Sequence, residues 1–249
     1  MLDILTEIFL LGTIERDETG ERVGLDSNIS IPHGLFLQNL YDRVKPRKSL
    51  EVGLAFGIST LFILEKCREN GAAPKSHIVI EPWLRDDVAM HNIRSAGLED
   101  YLDLRNDLSD VVIPSLYLDH ERIQFAFVDT TKVFDIVLQD FYFIDKILDI
   151  GGVVIFDDAS TGGINLVMRF IATLPHYEIY DTFEKVKVSA RYTTGLRLFE
   201  IGTNLLPFKK KYMNFYSFKT STQLGLNYRS IAFRKIAKDT RNWDWMKPL

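Results

Sequence analysis

One cysteine, Cys67, stands among 249 residues, so no intrachain disulfide can form, and no CxxC or HExxH spacing offers a zinc site. Such usage suits a reducing compartment, and a cytoplasmic location is the expectation. Glycine (15) and proline (8) are sparse, which excludes collagen-like and low-complexity chains. No apolar run approaches the roughly 20 residues that a membrane helix needs. The apolar patch at residues 4–11 is interrupted by Thr6 and Glu7 and followed by Glu15, Asp17 and Glu18, the wrong order for a secretory leader. A basic excess is also missing: 30 Lys and Arg face 34 Asp and Glu, a net charge of −4, so the whole chain shows no electrostatic footprint for nucleic acid. The expectation is a soluble intracellular protein with neither nucleic acid nor membrane as partner, and a homo-oligomer stays open.

What is present is an alternation of short β-type runs with longer helical ones. Residues 49–53, 77–81, 124–129 and 152–158 are short and nearly continuous in apolar character, as strands buried on both faces of a parallel sheet are. Residues 59–70, 86–96 and 131–148 read as helices, the last with Phe134, Val137, Leu138, Phe141, Ile144 and Leu148 at i, i+3, i+4 spacing. Alternation of this kind predicts right-handed βαβ units and a doubly wound α/β sheet. Before it, residues 35–44 read as a helix stopped by Pro46, and residues 13–31 as a polar stretch that covers a site or is a plain surface loop. After it come strands at 177–183 and 230–234, separated by an aromatic and basic stretch at 197–219 containing Lys209, Lys210 and Lys211. One domain over 1–249 is expected: an N-terminal helical cover (1–48), a core (49–183) and C-terminal strands with an insertion (184–249).

Three of the strands end in acid, at Glu81, Asp129 and the pair Asp157 and Asp158. Ligands of open α/β sheets bind beyond the carboxyl ends of the strands, so a shared ligand site explains these acids better than three separate helix caps. The turn after the first strand reads Glu51-Val-Gly53-Leu-Ala-Phe56-Gly57-Ile-Ser59. Its glycines are four apart and the third of a GxGxxG fingerprint is missing. Glu51 would repel a pyrophosphate and suits a cationic ligand, which argues against an NAD-type oxidoreductase. Glu81 sits where an acid accepts hydrogen bonds from ribose hydroxyls.

In these residues the chain resembles the class I S-adenosylmethionine-dependent methyltransferases, whose first motif has the form (D/E)xGxxxG. The likeness runs from about residue 33 to 180 and is nearest to the small-molecule O-methyltransferase branch. It implies a Rossmann-like, mostly parallel seven-stranded sheet with helices on both faces and one antiparallel strand near the C-terminus. It further implies that Glu51, Gly53, Phe56, Gly57 and Ser59 surround S-adenosylmethionine, that Glu81 holds its ribose, that Trp83 stacks on its adenine and that Asp107 or Ser109 hydrogen-bonds the adenine. Asp129 faces the cationic end of the cofactor.

A second constellation, Asp129-Thr130-Thr131-Lys132 with Asp157-Asp158, is similar to that of the cation-dependent O-methyltransferases of the catechol and caffeoyl-coenzyme A kinds. The resemblance implies a metal held by Asp129, Asp157 and Asp158, with Lys132 and Asp129 in catalytic roles. All-oxygen ligation favours Mg²⁺, with Ca²⁺ or Mn²⁺ as substitutes. Lys132 is the expected general base. The sugar and macrolide relatives carry a DGxH pattern instead, so Thr130 and Lys132 depart from that branch. The expected reaction is methyl transfer to a hydroxyl of a small molecule, a sugar or natural product among them. A cofactor-binding partner subunit without activity is the alternative. A nucleic-acid methyltransferase is disfavoured by the charge and by FVDTT standing where an (N/D)PP(Y/F) motif belongs. His33 and Cys67 are given structural roles, and Asp239, Arg241, Trp243 and Trp245 a terminal anchoring turn.

Overall fold

The structure is a computed structural model that describes residues 3–25, 28–83, 88–187, 220–242 and 245. Its central element is a seven-stranded sheet in the order β5-β4-β3-β6-β7-β9-β8. These strands are β3 (Ser49–Val52), β4 (His77–Ile80), β5 (Leu102–Arg105), β6 (Ile123–Val128), β7 (Leu148–Phe156), β8 (Tyr177–Lys185) and β9 (Tyr228–Lys235). The first five pair in parallel, and β9 runs antiparallel to both β7 and β8. Every residue of β3 and β4 is buried, the polar Ser49, Glu51 and His77 included, as in strands covered on both faces.

Side chains leave alternate faces of a strand, and the core divides accordingly. Leu50, Val52, Ile78, Ile80, Ala126 and Val128 face α5 (Ser109–Leu118), α6 (Phe134–Ile147) and α7 (Gly162–Ile171). Val79, Phe125 and Phe127 face the other way, onto α2 (Ile31–Val44), α3 (Ile58–Glu69) and α4 (Val88–Ser95). The expected doubly wound sheet with one antiparallel strand is therefore what forms. Among the described residues no helix is long and apolar enough to cross a membrane.

The N-terminal region departs from expectation. Residues 13–31, read as a polar loop, contain a hairpin of β1 (Thr13–Glu15) and β2 (Arg22–Gly24), with Ile14 opposite Val23. Ile14 is fully buried, and Arg22 Nε donates to Thr13 Oγ1 at 2.8 Å. Strands of three residues are too short to show a period, so the pattern could not reveal them. Ahead of them lies α1 (Asp3–Leu11), and α2 starts at Ile31 with Pro32 in its first turn, where the missing N–H costs nothing. The aromatic and basic stretch 197–219 lies outside the described residues.

One buried group works against stability. Asp140 on α6 is 1% exposed, and neither carboxylate oxygen has a hydrogen-bond donor among the described residues. Burial pushes its carboxyl up to about 6, against the pull of the nearby Ser109 hydroxyl. Between pH 4 and 6 the native state thus holds more protons than the unfolded chain, so this group lowers stability as pH rises through that window. Asp140→Asn is expected to stabilise the protein at pH 7.5 by about 2 to 3 kcal/mol and to have no effect near pH 4. Denaturant melts at both pH values check this; equal stability of variant and parent at pH 7.5 contradicts it.

Candidate active site

The strand order reverses between β3 and β6, and a crevice opens at such a switch point beyond the carboxyl ends of the strands. Gly53 closes β3 there with φ 101°, its N–H donating to Ile80 O at 2.9 Å. A Cβ on Gly53 would lie 2.0 Å from Asp129 O, so the ends of β3 and β6 meet only because this residue has no side chain. Gly57, at φ 76°, caps the N-terminus of α3. Glycine at both positions gives the turn its shape.

Glu51 points away from the crevice. It is fully buried, and its oxygens accept from Ser59 Oγ (2.5 Å) and Thr60 Oγ1 (2.8 Å) while His77 Nε2 lies 2.9 Å away. The acid thus ties the first turn of α3 to the end of β3 through half-buried Ser59 and buried Thr60. Glu81 accepts from the backbone N–H of Leu54 (3.0 Å) and Ala55 (3.3 Å) through Oε2, and from Trp83 N through Oε1 (3.0 Å). It therefore braces the glycine turn from the neighbouring strand. Trp83 is 69% exposed, so its ring is free to cover a ligand. Phe56 is buried under the turn, Asp107 is exposed, and Ser109 opens α5.

The acids of β6 and β7 converge. Asp129, Asp157 and Asp158 each offer a carboxylate oxygen within 4.8 Å of the others. Asp158 takes a left-handed φ of 49°, which breaks strand alternation and lets two successive acids face one point. Lys132 Nζ bridges two of them, 2.7 Å from Asp129 Oδ1 and 3.0 Å from Asp158 Oδ2. The third, Asp157, is 2% exposed; its Oδ1 accepts from Ser230 Oγ at 2.6 Å and lies 3.7 Å from Arg229 Nε.

The four predicted residues Asp129, Lys132, Asp157 and Asp158 are thus brought together. Among the described residues, three acids meet two cations, which leaves an excess of negative charge. Burial raises the carboxyls of Asp129 and Asp157 above the usual range, although Lys132 pulls the first down and the Ser230 hydroxyl the second. Burial also opposes the charge of Lys132, but Asp129 and Asp158 outweigh it and hold the ammonium above its ordinary pKa.

Sequence reasoning assigned none of three further residues to this site. His33, fully buried on α2, has Nε2 2.9 Å from Ser230 Oγ and 3.8 Å from Asp157 Oδ1, and its ring stacks on Phe183 with centroids 4.6 Å apart. Burial pulls its pKa down to about 4, so the ring is neutral. Ser230 and Arg229 come from β9, where a polar residue before the apolar run Ile231-Ala232-Phe233 was the available signal.

Another cluster, Asp145, His176 and Asp239, has its charge answered from within. Lys235 Nζ is 3.0 Å from Asp145 Oδ1, and Arg241 binds both oxygens of Asp239 at 2.7 and 2.6 Å. Arg241 also lies over the rings of Phe170 and Trp245. This is the anchoring turn expected of Asp239, Arg241 and Trp245, with Trp243 outside the described residues.

Residues 50–159 match a family described as a methyltransferase domain. No curated protein matches the chain. Among solved structures, an O-methyltransferase from Bacillus cereus in complex with S-adenosylhomocysteine is similar at 22% identity over 71% of this chain and 82% of that one, with a TM-score of 0.57. The O-methyltransferase TomG of Streptomyces achromogenes, involved in tomaymycin synthesis and solved with S-adenosylmethionine, is similar at 18% identity (86% and 83%, TM-score 0.51). The methyltransferase PaMTH1 of Podospora anserina, with S-adenosylhomocysteine bound, is similar at 17% (94% and 88%, TM-score 0.53). These likenesses show that the chain has the fold of those methyltransferases, and the domain match at residues 50–159 falls on the residues that form the crevice.

Proposed function

We propose that the protein is an S-adenosylmethionine-dependent, divalent-metal-assisted O-methyltransferase acting on a hydroxyl of a small molecule, with sugars and natural products as the first classes to test. The observation that carries this reading is the convergence of Asp129, Asp157, Asp158 and Lys132 beside the Gly53 turn. In this reading the cofactor lies in the crevice with its backbone-facing side on Gly53, Phe56 and Gly57. Glu81 takes the ribose hydroxyls, Trp83 covers the adenine, and Asp107 and Ser109 bond its edge. Glu51 acts through the Ser59 hydroxyl that it holds. Asp129 and the surplus negative charge favour the cationic amino and sulfonium groups.

The donor set fits a hard cation: three carboxylates, all oxygen, aimed at one point. Bound by Asp129, Asp157 and Asp158, Mg²⁺ would supply Lewis-acid polarisation of the substrate hydroxyl. With Asp129 and Asp158 no longer holding the ammonium, the burial that opposes its charge would let Lys132 release a proton to solvent, and the neutral Nζ then takes the substrate's hydroxyl proton. The substrate oxygen attacks the methyl carbon, the carbon–sulfur bond breaks, and S-adenosylhomocysteine leaves. The sulfonium is already activated, so alignment of oxygen and methyl group does most of the work.

Calorimetry with S-adenosylmethionine, and methyl transfer to a panel of hydroxylated compounds with and without EDTA, test the proposal. Binding of the cofactor but not of NAD is expected, with turnover lost to EDTA and restored by Mg²⁺. Asp157→Ala should keep S-adenosylhomocysteine affinity within about threefold yet lower turnover about a hundredfold or more, since Lewis-acid assistance amounts to several kcal/mol. EDTA-resistant turnover together with an active Asp157→Ala protein overturns the metal assignment; cofactor binding without turnover on any hydroxylated substrate favours the partner-subunit alternative.

A further inference from the structure

Asp157 stands apart from the other two acids. Asp129 and Asp158 share Lys132, whereas Asp157 is held from elements remote in sequence. Ser230 on β9 donates its hydroxyl hydrogen to Asp157 Oδ1 at 2.6 Å. A serine has one such hydrogen, so the 2.9 Å contact between Ser230 Oγ and His33 Nε2 requires His33 to donate. That fixes the ring as the Nε2–H tautomer. His33 Nδ1 has no hydrogen-bond partner among the described residues, so this nitrogen adds nothing to the ring's hold. Stacking on Phe183 and the edge of Phe127 (centroids 6.1 Å apart) hold the ring instead. All three members of the chain are essentially closed to solvent: His33 0%, Ser230 0%, Asp157 2%. Ser230, His33 and Arg229 all approach the carboxylate through Oδ1, so its other oxygen is kept in one direction.

We propose that His33 and Ser230 are positioning residues that orient the Asp157 carboxylate as a cation ligand, making helix α2 a structural part of the metal site. The inference rests on the metal-assisted reading above. Outer groups that orient a metal's ligands set affinity as well as geometry, and their loss typically costs about 10- to 100-fold in binding. The hydrogen bond of His33 goes to Ser230, and that of Ser230 to Asp157. The effects are therefore ordered, Ser230→Ala at least as large as any His33 variant that keeps the fold.

The test is Mn²⁺ binding followed by electron paramagnetic resonance in the presence of S-adenosylhomocysteine, with calorimetry of S-adenosylhomocysteine alone as the second readout. Ser230→Ala should weaken Mn²⁺ about tenfold or more and leave the cofactor affinity unchanged. His33→Phe preserves the stack on Phe183 but has no donor, and should weaken Mn²⁺ in the same sense. His33→Gln, whose amide nitrogen reaches the place of Nε2, should restore most of the lost affinity, and Ser230→Thr, which keeps the hydroxyl, likewise. Unchanged Mn²⁺ affinity in Ser230→Ala overturns the relay while leaving the metal site standing. A loss of Mn²⁺ and cofactor affinity together in all four variants, in step with a fall in melting temperature, also overturns it, since a merely packing role does that. If the parent protein binds no Mn²⁺, the metal reading itself falls and takes the relay with it.

Discussion

Gly53→Ala is expected to abolish cofactor binding and to destabilise the protein by at least about 3 kcal/mol, in the range where clashes and backbone strain add. Two effects combine. The residue sits at φ 101°, where an L side chain costs about 1 to 2 kcal/mol. Its Cβ would also fall 2.0 Å from Asp129 O and 3.0 Å from Asp129 C, and backbone cannot swing aside as a long side chain can. Relief requires the ends of β3 and β6 to part, which breaks the bond from Asp129 N to Val52 O (3.0 Å) and carries Asp129 away from Asp157 and Asp158. Gly71→Ala is the control: φ is 64° there, with nothing within 4 Å of the new Cβ. It should cost only about 1 to 2 kcal/mol of strain and leave cofactor affinity intact. Thermal melts and calorimetry with S-adenosylhomocysteine measure both; a Gly53→Ala protein that binds like the Gly71→Ala protein contradicts the close approach.

The difference between these two glycines shows what a sequence can and cannot reveal. The spacing of Gly53 and Gly57 marked a sharp turn into a helix, and the continuous apolar runs marked buried parallel strands, because both are local. Acids at the ends of β6 and β7 were legible for the same reason, since neighbouring parallel strands bring their ends together. Glu51 was legible as a residue but not in direction: strand alternation turns it toward α3, and its partners Ser59, Thr60 and His77 take up its oxygens. The place of His33 beside Asp157 was not legible, for a different reason. Its partner Ser230 is 197 residues away, and Ser230 is 73 residues from Asp157, so no period or spacing links them. The three-residue strands of the hairpin fall below the length at which alternation registers at all.

Lys132→Arg separates the two services a cation can perform in this site. In the described state the ammonium holds Asp129 and Asp158 at 2.7 and 3.0 Å, a role that an arginine can fill with more donors. A guanidinium, however, stays protonated at any working pH and cannot accept a proton from a substrate hydroxyl. Lys132→Arg and Lys132→Ala are therefore both expected to lower kcat by about 100- to 10,000-fold, the range ascribed to a positioned general base, with cofactor affinity near that of the parent. They should part company in metal affinity. Lys132→Ala removes a competitor for Asp129 and Asp158 and should bind Mn²⁺ at least as tightly as the parent, whereas Lys132→Arg keeps that competitor and should bind it no more tightly. Steady-state kinetics at saturating Mg²⁺ and Mn²⁺ titrations of both variants decide the matter. If Lys132→Arg turns over like the parent, the lysine serves as a fixed positive charge between two acids and the base must be sought elsewhere.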